Sequence, residues 1–130
     1  FVKKMEMKER YAFYFMKMEV WKETRKLSNL VYKITEDFPD SEKFGLVSQL
    51  RRAVISISSN VAEGSGRVSK KEQARFTEIA FGSLMEVINQ IILATDLGFI
   101  STQKAETILD SAYPISRMLN SLRKSQIAKI

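Results

Sequence analysis

Residues 49–67 read QLRRAVISISSNVAEGSGR, and the fold turns on how this stretch is read. Leu50, Val54, Ile57 and Val61 recur every three or four residues and continue a stripe that begins at Leu46. That period places them on one face of an α-helix. Ser48, Arg52, Ser56, Ser59 and Glu63 repeat with the same period and mark a polar face. The spacing predicts a helix from about Phe44 to Glu63, with Gly64 and Gly66 suited to a left-handed stop. Asn60 and Glu63 are the residues this pattern does not explain. Glu63 puts an anion in the last turn, where the helix dipole is already negative.

Three more helical segments flank this one. Trp21, Leu27, Leu30, Val31 and Ile34 predict a helix over about Glu19 to Asp37, ended by Phe38-Pro39-Asp40, since Pro39 drives its predecessor out of the α region. Ser69 and Glu72 form a capping-box pattern that opens a third helix running to Leu97-Gly98,. A fourth opens at Ser101 or Thr102, and Pro114 inside it is expected to kink or divide it. Four helices with short connections predict an all-α, antiparallel up-down-up-down four-helix bundle over residues 19–130. Residues 1–18 read as an N-terminal extension: the chain begins at Phe1, and Met5, Met7, Met16 and Met18 are alternative starts.

Composition narrows the chemistry. The chain has 130 residues, one domain's worth, with no cysteine and no histidine,. Disulfides and thiolate metal sites are excluded, and the commonest general base and metal ligand is missing. The expectation is a protein that is not an enzyme and needs no cofactor or metal. Net charge is +6, from 21 basic and 15 acidic residues. Such a balance suits a polyanion such as RNA or DNA, or an anionic membrane, or simply serves solubility. The apolar run Tyr11 to Met16 is too short for a signal-peptide core, and no stretch reads as a continuous membrane span. A cytoplasmic location is expected.

The third helix has more apolar residues than one bundle can cover. Beyond its core stripe it carries Phe81, Met85, Ile92 and Leu93. A helix apolar nearly all round must be covered on most sides, which predicts self-association through these four residues. The competing arrangement folds Tyr11, Phe13, Tyr14 and Phe15 back over the same surface.

The opening stretch also resembles the signature of bacterial four-helix-bundle proteins encoded by intervening sequences within 23S ribosomal RNA genes. That pattern, G-L-x-x-Q-L-R-R-A-x-x-S-I-P-S-N-x-A-E-G, is met by Gly45, Leu46, Gln49, Leu50, Arg51, Arg52, Ala53, Ser56, Ile57, Ser59, Asn60, Ala62, Glu63 and Gly64. Val20-Trp21, the connection from Phe38 to Gly45, Phe76, the run from Ala80 to Leu84 and Asp96 to Ile100 extend the match to about residues 19–125. Ser58 stands where the family usually has proline, and Pro114 is not part of the pattern. The resemblance implies an antiparallel bundle, often assembled as a ring-shaped homopentamer. A related branch serves as the accessory protein of diversity-generating retroelements, where a basic pentamer binds nucleic acid and a reverse transcriptase.

Site expectations follow from both readings. Asn60, Glu63 and Gly64 read best as a structural junction, because a catalytic Glu63 lacks a partner at any motif spacing. Glu63 would accept from free N–H groups at the start of the third helix or pair with an arginine. Adjacent Arg51 and Arg52 cannot share a face: one is expected to pair with an acid such as Glu63 or Glu86, leaving the other free. Arg51, Arg52, Lys70, Lys71, Arg75, Arg117, Arg123 and Lys124 are the candidate phosphate contacts, and Lys129 adds to the basic tail. No RNP motif, zinc finger or helix-turn-helix appears, so contact through backbone and shape is expected. The leading function is a non-enzymatic homo-oligomeric nucleic-acid-binding accessory protein. The alternative is a scaffold that docks a partner enzyme, such as a reverse transcriptase.

Overall fold

Four apolar stripes become four helices in the computed structural model, which describes residue 11 and residues 13–130. These are α1 (Glu19–Thr35), α2 (Leu46–Ser65), α3 (Lys70–Asp96) and α4 (Thr102–Ala128). Among the described residues there is no strand. Each helix packs against its neighbours in chain order, and α1 closes the ring on α4. The result is an antiparallel four-helix bundle with its core on the axis. Leu27 and Val31 of α1, Leu50, Val54 and Ile57 of α2, Leu84, Val87 and Ile91 of α3, and Ile108, Ile115 and Leu119 of α4 are fully buried. Burial of such a side chain contributes about 1.5–3 kcal/mol each, before the entropy of ordering it is counted.

The connections explain where the helices stop. Thr35, buried at the end of α1, turns its hydroxyl back to donate to the Val31 and Tyr32 carbonyls. The chain then leaves the helix and buries Phe38 against Phe99, with ring centroids 6.0 Å apart. At the end of α3, Gly98 has φ +79°, the left-handed conformation. Phe99 N–H donates to the Ala94 carbonyl and Gly98 N–H to that of Thr95, the paired bonds of a Schellman stop,. Ser69 caps α3 by accepting from Glu72 N–H, and Ser101 caps α4 by accepting from Lys104 N–H.

Several expectations are corrected. Gly64 and Gly66 are not left-handed: Gly64 lies inside α2, and Gly66 has φ −89°. Gly64 is required by proximity, since a Cβ there would lie 2.8 Å from Cβ of Phe76. Glu72 completes only half of the capping box, its carboxylate lying 3.9 Å from Arg75 instead. Pro114 does not divide α4, which runs unbroken through it with the ring on the exposed side. Phe15 packs edge-on against Trp21 of α1 at 5.0 Å, with Phe13 stacked on Phe15, so these rings do not cover α3. The rest of the expected N-terminal extension, residues 1–10 and 12, lies outside the described residues. Finally, α3 is long and apolar enough to cross a membrane by length and composition, which the sequence reading missed. In the bundle, Phe76, Ala80, Leu84, Val87, Ile91 and Ala94 of this helix are buried.

Candidate nucleic-acid interface

The α2–α3 corner is built from Gly64 outward. Without a side chain at Gly64, α2 comes close to Phe76 of α3. The guanidinium of Arg67 lies over that ring at 4.6 Å and that of Arg75 at 5.6 Å. Gln73 Nε2 donates to the Arg67 carbonyl at 2.8 Å, while its Oε1 accepts from Lys70 Nζ at 3.2 Å. Glu63 takes no part in capping α3. Its half-exposed carboxylate pairs with Arg67, one turn on, at 3.5 Å. Of the two roles expected for it, pairing with an arginine is the one present.

Asn60 belongs to a different group. Its Nδ2 donates to the Ser56 carbonyl at 2.8 Å and to Ser56 Oγ at 3.0 Å. Ser56 Oγ in turn shares a 2.8 Å hydrogen bond with Ser83 Oγ of α3. The predicted junction of Asn60, Glu63 and Gly64 is therefore three separate features along one helix.

Arg51 and Arg52 do diverge, but neither pairs with an acid among the described residues. Arg51 Nε donates to Thr35 Oγ1 at 3.0 Å and its Nη2 to the Tyr32 carbonyl at 3.2 Å. Its guanidinium also stacks over the Tyr32 ring at 4.5 Å. Arg51 thus ties α2 to the end of α1 and is spent on structure. Arg52 is exposed and makes no ion pair among the described residues. Glu86 accepts instead from Gln90 Nε2, which also donates to Gln49 Oε1.

The other candidate cations gather toward one end of the bundle. Lys70, Lys71 and Arg75 open α3. Arg117, Arg123 and Lys124 lie on the second half of α4 beside them, joined by Arg123 to Glu78 at 3.4 Å and by Thr77 Oγ1 to Gln126 Oε1 at 2.7 Å. Lys71, Arg117 and Lys124 carry no ion pair among the described residues. Dividing each helix near its middle exposes the asymmetry. The half holding the α2–α3 corner, residues 14–26, 56–83 and 116–130, has 12 basic and 5 acidic residues, net +7. The other half, residues 27–55 and 84–115, has 5 basic and 8 acidic, net −3. Arg51 and Arg52 sit on the acidic half, apart from the other six candidates. From Ser116 onward α4 and its tail have no carboxylate side chain.

A second surface lies along α3. Ile92 and Leu93 are 48% and 44% exposed, and Ile79, Met85 and, at the C-cap, Leu97 are exposed on its outer arc as well. Phe81 does not: it is partly buried and packs against the core.

A family model described as 23S rRNA-intervening sequence protein matches residues 16–121. The chain belongs to this family. A solved structure from Bacteroides thetaiotaomicron, described as a protein of unknown function from the S23 ribosomal protein family, has the same fold. It superposes with a TM-score of 0.73 at 20% identity, covering 81% of this chain and 98% of that one. No curated protein matches the chain. Among the described residues of this family member, no three His, Cys, Asp or Glu side chains converge as metal ligands.

Sequence reading missed Arg67, Gln73 and Phe76 as the residues of the corner. The signal was available for Arg67, four residues after Glu63 and so one turn away. The Thr77–Gln126 bond joins residues 49 apart and has no local signature.

Proposed function

We propose that this member of the 23S rRNA-intervening sequence protein family is a non-enzymatic, homo-oligomeric nucleic-acid-binding accessory protein. It contacts RNA, or DNA, through phosphates. The observation that supports this best is the segregation of charge: net +7 on the half at the α2–α3 corner, against −3 on the other. A solvated surface that served only solubility has no need to sort its charges by end. Lys71, Arg117 and Lys124 make no ion pair among the described residues and supply the contacts, with Lys70, Arg75 and Arg123 beside them. Arg51 is withdrawn from this set because α1 holds its Nε and Nη2 and its guanidinium lies over the Tyr32 ring. Self-association through the exposed side of α3, as a ring-shaped homopentamer, repeats the basic half and lets weak contacts reinforce one another.

The test is salt dependence. Affinity for structured RNA should fall steeply with salt, with a log–log slope set by the phosphates neutralised. Charge reversal at Lys71, Arg117 and Lys124 should flatten that slope. No binding of RNA or DNA even near 50 mM salt, where this electrostatic attraction is strong, would sink the reading. Docking of a partner enzyme would then be the function to test.

A further inference from the structure

Where the ends of α2, α3 and α4 meet, the bundle opens into a cleft of about 430 Å³. That is the size of a small-molecule site, typically about 300–1,000 Å³. Small residues leave the space open, with Gly64 and Ser65 on one wall and Ser125 on another. All the charge in the lining is positive: Lys70 enters from the start of α3, Lys129 from just past α4, and no carboxylate side chain is present. The neutral groups are mostly hydrogen-bonding ones. Gln126 is held by Thr77 through its Oε1, which leaves its amide NH2 to donate, and the Ser125 hydroxyl in the lining has no hydrogen-bond partner among the described residues. Lys70 is steadied by Gln73 at 3.2 Å. Tyr14 stands at the α1 side with its ring largely exposed.

We propose that this cleft binds a single nucleotide through a terminal phosphomonoester, with the phosphate between Lys70 and Lys129 and the base against Tyr14. This rests on the nucleic-acid reading above and assigns it a strand-end subsite. The charge count favours an end over the interior of a strand. An internal phosphodiester carries one negative charge, whereas a phosphomonoester carries about −1.5 to −2 at pH 7. Two ammonium groups in a lining with no carboxylate side chain match the second. Ser125 and Gln126 add neutral donors to the phosphate oxygens, and an exposed tyrosine ring stacks on any base.

The experiment compares one short single-stranded RNA bearing a 5′-phosphate, a 3′-phosphate or hydroxyls at both ends, read by fluorescence anisotropy. Adenosine monophosphate and adenosine serve as competitors. Wild-type protein should prefer one phosphate-ended strand by about tenfold, the worth of one added charge-assisted contact. Lys129→Gln and Lys70→Gln should each reduce that ratio toward one. Lys124→Gln, outside the cleft, should weaken all strands alike. Equal affinity for all ends in the wild type, or a ratio untouched by Lys129→Gln, overturns the proposal. If no strand binds but adenosine monophosphate does, and adenosine does not, the subsite stands while the accessory-protein reading falls. If nothing binds, both fall.

Discussion

Glu63 and Gly64 are neighbours in the sequence, and their substitutions should have opposite weights. The Glu63 carboxylate is about half exposed and, among the described residues, pairs with Arg67 alone. Exposed pairs of this kind contribute roughly 0.2–1 kcal/mol, so Glu63→Ala should shift a denaturant midpoint barely at all. Gly64→Ala places a methyl 2.8 Å from Cβ of Phe76, where backbone on both helices limits retreat. Overpacking of this sort costs typically 1–3 kcal/mol, and better helix propensity recovers only about 1 of it. Urea melts of the two variants beside wild type measure the difference. A Gly64→Ala protein as stable as wild type would show that the corner can open. The sequence made Glu63 conspicuous because it opposes the helix dipole, a local property. The demand on Gly64 comes from a residue twelve positions on, and local pattern does not carry it.

Helices were legible because each has one uninterrupted apolar stripe, and a period of 3.6 admits no other regular structure. What lay beyond the stripes was less so. Adjacent Arg51 and Arg52 could be separated by angle alone, but the acceptors of Arg51 are Thr35 and Tyr32 of another helix. Pro114 shows the converse case, a strong local signal overruled by packing. Its ring removes one backbone donor and crowds the Asp110 carbonyl one turn back, yet Ala112, Ile115 and Leu119 are buried and hold α4 on course,. The intrinsic penalty remains, about 3 kcal/mol relative to alanine in a helix interior. The proline ring is exposed and fills no part of the core. Pro114→Ala should therefore raise stability by about 1–3 kcal/mol, seen as a higher thermal midpoint with unchanged helical signal. Loss of stability would mean that the backbone geometry the proline imposes is built into the packing of α4.

At the scale of the molecule, an apolar side and a charged end must be read together. The bundle satisfies the core face of α3 but leaves Ile79, Met85, Ile92, Leu93 and Leu97 partly or largely exposed along one side. Exposed apolar side chains gathered on one helix mark an interaction site when they form a patch. The patch runs along the helix, whereas the +7 half is an end of the bundle. Cyclic association through the side would therefore leave the basic end uncovered in every copy, and with bundle axes aligned along the ring axis the basic ends would share one face. Assembly and phosphate binding are then separable by mutation yet coupled in strength. Ile92→Lys with Leu93→Lys alters two exposed positions, so the bundle should fold with unchanged helicity. Light scattering after size exclusion should show wild type as a multiple of the chain mass and the double variant as a single chain. The variant gains two positive charges per chain, so charge alone predicts tighter RNA binding. Loss of multivalency predicts weaker binding with a shallower salt slope, because fewer phosphates are neutralised per particle. The second outcome is the expected one. A wild-type monomer would remove the assembly, and a variant that binds more tightly would show that each bundle acts alone.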